Sequence, residues 1–91
     1  MREEYYDKLK RFFRIKLLLR REELNLTQEQ MSENLNISLR NYANLESGKY
    51  LCGTLTLVLF LIYHCPDANK FLEEIKNLYE SDIEDANTIN L

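Results

Sequence analysis

Residues 27–49 run TQEQMSENLNISLRNYANLESGK, and the spacing of caps and apolar positions in this stretch decides the fold. Thr27 is suited to an N-cap, because its hydroxyl can accept a backbone N–H that a starting helix leaves unbonded, and Gln30 three residues on completes a capping box. A short helix over about 28–34 follows, with Met31 and Leu35 directed inward. Asn36 tolerates positive φ better than most residues with a Cβ, which fits a tight turn. Ser38 is the next N-cap, and a second helix is expected to about Glu46, with Tyr42 and Leu45 at i, i+3 on its buried side. Gly48 stands near the C′ position that closes such a helix.

Working outward, the stretch from about Tyr5 to Leu24 repeats Leu9, Phe12, Phe13, Lys16, Leu17 and Arg20 in a 3.6-residue rhythm. This predicts a long first helix with Leu17 and Leu24 on its inward stripe, joined to the motif by Asn25 and Leu26. On the other side, Leu51 to Cys65 reads LCGTLTLVLFLIYHC, fifteen residues without a formal charge. A membrane-spanning helix needs about twenty apolar residues, so a buried or interfacial helix of about eleven residues capped by Thr54 is expected instead. Its apolar residues cover every side, so either the last helix folds back to cover the excess or, the favoured reading, they form a two-fold interface through Leu57, Phe60 and Leu61. Pro66 stops that helix and Asp67 opens another, in which Phe71, Leu72, Ile75, Leu78 and Tyr79 form the apolar stripe. From Ser81 the sequence is acidic and aperiodic. The expected organisation is one helix-turn-helix domain over 1–80, its motif at about 27–47, and an acidic flexible tail over 81–91.

Composition agrees with an all-α chain. Two Gly and one Pro in 91 residues leave too few turn residues for many hairpins. A chain of this length fits one domain and buries only about 60 to 65% of its unfolded surface. The charged start MREEYYDKLKRFF does not resemble an export signal, and a cytoplasmic location is expected. Cys52 and Cys65 are separated by twelve residues and the chain has a single histidine, His64, so neither a disulfide framework nor a metal site is favoured. With no Gly-rich phosphate loop and no nucleophile–base signature, no enzyme and no cofactor are expected. The formal net charge of −3 is unevenly spread: residues 1–21 hold eight Lys/Arg against three acids, 22–50 two against five, and 51–91 two against seven.

The positions of Thr27, Gln28, Met31, Ser32, Leu35, Ile37, Ser38, Tyr42, Leu45, Glu46, Gly48 and Lys49, with Arg21 six residues before Thr27, resemble the lambda-repressor-like, Xre/Cro-CI type helix-turn-helix family. The likeness covers about 17–65. It departs at Asn36, where Gly is usual, at Ser32, where Ala is usual, and after Gly48, where relatives place more basic or polar groups. The resemblance implies a compact five-helix fold, an ion pair between Arg21 and Glu46, and Gln28 on a DNA phosphate.

Two short helices joined by a tight turn suit docking of the second in the major groove, with helix N-terminal amides and polar side chains on phosphates. Ser38, Leu39, Arg40 and Asn44 are the candidate base-reading residues: Arg40 for a bidentate contact to guanine, Asn44 for adenine, Leu39 for a thymine methyl. Gln28, Asn41, Lys49 and Tyr50 are the candidate backbone contacts. The expected function is sequence-specific binding of double-stranded DNA by a transcription regulator, a dimeric repressor. The sparse positive charge of the motif keeps a second reading open, a protein-interaction module of antitoxin or antirepressor type with little DNA affinity.

Overall fold

The computed structural model describes residues 3–89, with side chains described over 4–80. Five helices follow one another: α1 (Glu3–Glu23), α2 (Gln28–Asn34), α3 (Leu39–Glu46), α4 (Thr54–His64) and α5 (Ala68–Ile89). No strand occurs among the described residues, so the expected five-helix, all-α class is the one observed. α5 runs on past Ser81, where the sequence points to a tail, and the last two residues of that expected tail lie outside the described residues.

Local chemistry accounts for the boundaries. The Thr27 hydroxyl accepts from the Gln30 N–H at 3.1 Å while the Gln30 side chain accepts from the Thr27 N–H at 2.9 Å. Ser38 caps α3 by accepting from the Asn41 N–H at 3.1 Å. Asn36 adopts φ 57° as α2 ends, its N–H donating to the Glu33 carbonyl and that of Ile37 to Ser32, a Schellman closure. The same pair of bonds closes α1 through Asn25, also at φ 57°, and α3 through Gly48 at φ 79°. Gly48 is further constrained, since a Cβ there would come 3.2 Å from Arg14 Cδ. At α4 the cap lies one residue earlier than expected, on Gly53, which offers no side-chain acceptor; Thr54 is the first helical residue.

α1 buries Tyr5, Leu9, Phe13 and Leu17, one residue per turn, and packs along α3 and α5. Contacts of Tyr5 with Tyr79 and of Phe12 and Phe13 with Phe71 show that α5 runs antiparallel to it. The core gathers Phe13, Leu17, Met31, Leu35, Tyr42, Leu45, Phe60 and Phe71. Leu24 is not part of it: α1 ends before this residue, which faces solvent. On the α5 stripe Phe71 is buried and Ile75 packs against the core, whereas Leu72 and Tyr79 are exposed.

Phe60 corrects the interface expected for α4. It is only 2% exposed, tilted against Phe71 at 5.6 Å and stacked on His64 at 5.8 Å, so it belongs to the monomer core. Leu57 and Leu61 also pack against the core, half-buried. The outer side of α4 is instead Leu55, Val58, Ile62 and Tyr63. The sequence could not phase this helix because apolar residues surround it.

His64 is buried at the end of α4, with Nδ1 accepting from Arg20 Nε at 3.4 Å and Nε2 without a partner among the described residues. Burial, reinforced by the Arg20 charge, holds its pKa below the ordinary value of 6.5. The unfolded chain therefore binds more protons than the folded one just below about pH 6.5, and stability must fall as pH drops into that interval. Chemical denaturation across pH 5–7.5 should show this fall, and His64→Leu should flatten the slope whatever its effect on absolute stability.

Candidate nucleic-acid interface

Arg21 and Glu46 come together from the last turn of α1 and the last residue of α3. Arg21 Nη2 meets Glu46 Oε1 at 2.7 Å and Nε meets Oε2 at 2.9 Å, a bidentate pair, with the carboxylate side chain only 8% exposed. The guanidinium has a third acceptor, the Leu26 carbonyl at 3.0 Å from Nη1, and Gln28 Nε2 donates to Glu46 Oε1 at 3.2 Å. Burial opposes ionisation of Glu46, but the hydrogen bonds from Arg21 and Gln28 outweigh it and hold the carboxyl below its ordinary range. Tyr42, packed beneath the pair, has its ionisation pushed up by burial and by the neighbouring carboxylate. The linker carbonyl and Gln28 extend the pair into a clasp across α1, the α1–α2 connection, α2 and α3. The contacts of Leu26 and Gln28 were not foreseen; no local sequence signal announces them.

Held in this way, α3 buries Tyr42 and Leu45 and turns Ser38, Leu39, Arg40 and Asn41 to solvent. Three of the four base-reading candidates, Ser38, Leu39 and Arg40, are thus exposed, and Asn44 is half-buried. The Ser38 oxygen is engaged in its cap, leaving its O–H to donate. Arg40 has no ion pair among the described residues. Leu39 is an exposed leucine on an otherwise polar surface.

Of the backbone candidates, Asn41 and Tyr50 line one shallow cavity of about 210 Å³ with Ile37, Leu51, Cys52 and Thr56. The Lys49 ammonium lies over the Tyr50 ring, 5.4 Å from its centroid. These three therefore gather where the α3–α4 loop meets the first turn of α3, while Gln28 stands apart at the start of α2. Its bond to Glu46 uses one of two amide hydrogens.

Among the described residues no group of three or more His, Cys, Asp or Glu side chains is arranged to hold a metal ion, and no helix is long and apolar enough to cross a membrane. Cys52 and Cys65 are free, and burial pushes both thiols up, away from the reactive thiolate.

Compared with known proteins, residues 14–83 match the model of a family described as a helix-turn-helix domain. No curated protein and no solved structure matches the chain.

The clasp predicts a stability effect. Removing Glu46 leaves the Arg21 guanidinium, its side chain 19% exposed, without its carboxylate in a partly buried site, so Glu46→Ala should lower unfolding free energy by up to about 3 kcal/mol. Urea titration measures it; a change within about 0.5 kcal/mol, the range of ordinary surface sites, would show that the pair fixes nothing.

Proposed function

The chain belongs to the helix-turn-helix domain family, and from that premise we propose that it is a sequence-specific, double-stranded-DNA-binding transcription regulator of the lambda-repressor-like, Xre/Cro-CI type. One observation carries this reading: α3 is clamped at its C-terminal end while its opposite side presents Ser38, Leu39, Arg40 and Asn41 to solvent. A rigid helix with a polar outer face and an unpaired guanidinium is suited to reading base edges in a major groove. Arg40, Asn44, Leu39 and Ser38 take the base-reading roles; Gln28, Asn41, Lys49 and Tyr50 position the protein on the backbone.

Selection from a random duplex pool by mobility shift tests the reading. On the selected site Arg40→Ala should cost about 1–3 kcal/mol and relax preference at one base position, whereas Gln28→Ala should weaken selected and random duplexes alike. Equal weakening of both by Arg40→Ala would make Arg40 a phosphate contact. A wild-type protein without salt-dependent binding to any duplex would end the DNA reading.

The regulator we propose is a dimeric, cytoplasmic repressor. The support for dimerisation is the outer side of α4, where Leu55, Ile62 and Tyr63 are 60%, 64% and 65% exposed. A two-fold pairing there would carry two copies of α3 to half-sites about 34 Å apart. The same surface supports the second reading, a module that holds a protein partner. Leu55→Glu with Ile62→Glu should convert a dimer to a folded monomer in sedimentation equilibrium, whereas Phe60→Glu should unfold the chain. A wild type monomeric at high micromolar concentration would remove the dimer.

A further inference from the structure

The basic residues of α1 divide by whether a carboxylate matches them. Lys10 pairs with Asp7 at 3.3 Å, Lys16 with Glu74 at 2.8 Å, Arg20 with Glu23 at 3.3 Å and Arg21 with Glu46 at 2.7 Å. Arg11 and Arg14 differ: both are exposed, and neither side chain has an ion pair or hydrogen bond among the described residues. They stand three residues apart, on neighbouring turns of one face of α1.

That face lies against the loop that follows α3. The Arg14 side chain crosses Gly48 so closely that a Cβ there would sit 3.2 Å from its Cδ. One turn nearer the N-terminus, Arg11 lines a groove with Asp7, Lys10 and Gly48, and the one carboxylate in that groove is already matched by Lys10. The residue after Gly48 is Lys49, the basic end of the α3 surface. Two unneutralised guanidinium groups are therefore brought beside the loop, although they are far from it in sequence. The segment that contains the reading helix is otherwise poor in positive charge, with Arg40 and Lys49 against five acids over 22–50.

We propose that Arg11 and Arg14 form a second phosphate grip, continuing from Lys49 along the DNA backbone that flanks the groove occupied by α3. This rests on the DNA-binding reading above and assigns the charge that the helix-turn-helix segment lacks. Guanidinium groups suit the role because their fork of N–H donors matches phosphate oxygens. They carry no base preference and set affinity and register only.

The test compares wild type, Arg11→Gln with Arg14→Gln, and the control Lys76→Gln on an exposed part of α5, by fluorescence anisotropy on a selected and a random duplex from 50 to 300 mM KCl. Releasing two phosphates should make the slope of log K against log salt shallower by about 1.8. Affinity for both duplexes should fall by the same factor, with the preferred sequence and the melting temperature unchanged. Lys76→Gln should leave the slope as in wild type. If the arginine variant keeps the wild-type slope, or the control loses as much, Arg11 and Arg14 are not phosphate contacts although the DNA reading stands. A wild type that binds neither duplex overturns both.

Discussion

The bidentate pair between Arg21 and Glu46 is the constraint on which the rest of the structure depends. α2 and α3 are only seven and eight residues long, too short to persist without tertiary support. The pair gives α3 a fixed end. The guanidinium reaches from α1 to the α3 carboxylate and to the Leu26 carbonyl, and Gln28 binds the same carboxylate from α2, so three helices and a linker meet at one buried charge. Tyr42 and Leu45 then settle on the inner side of α3, which determines that Ser38, Leu39, Arg40 and Asn41 face outward. Function in this reading is a consequence of where an ion pair can be satisfied.

Pairing also decides what the charges of the chain do. A net charge of −3 gives little reason to expect affinity for a polyanion. The distribution matters more. Arg21 and Lys16 join α1 to Glu46 in α3 and Glu74 in α5, while Lys10 and Arg20 pair with acids of α1 itself. Those left unmatched are Arg11 and Arg14 beside the α3–α4 loop. The apolar surface divides in a similar way: Phe60 and Phe71 close the core beneath α4, and Leu55, Val58 and Ile62 are left outside.

Much of this was legible in the sequence, and the reason is locality. Thr27 with Gln30, Ser38, Asn36 and Gly48 shape backbone bonds that span three to five residues, so their chemistry predicts where α2 and α3 begin and end. The Arg21–Glu46 pair came from family likeness, since nothing local joins positions 25 residues apart. α4 shows where reading fails. An apolar residue on every side removes the periodic signal that sets a helix's phase, and Phe60 was accordingly assigned outward when it lies inside. Leu24 lies outside the core because α1 ends at Glu23, one residue short of where the apolar rhythm would place it inward. Which basic residues remain unpaired depends on α5 and the loop at Gly48, contacts that no spacing rule supplies.

The central claim is that the exposed side of α3 and its flanking loop form the surface that meets DNA. Its most direct measurement is the residue-by-residue change in backbone amide NMR signals on titration with a selected duplex. The account predicts changes concentrated at Gln28, across residues 38–44 and at Lys49 and Tyr50, with Leu72 on α5 little affected. Changes centred on Leu55, Ile62 and Tyr63 with α3 silent, or no change at saturating duplex, would contradict it.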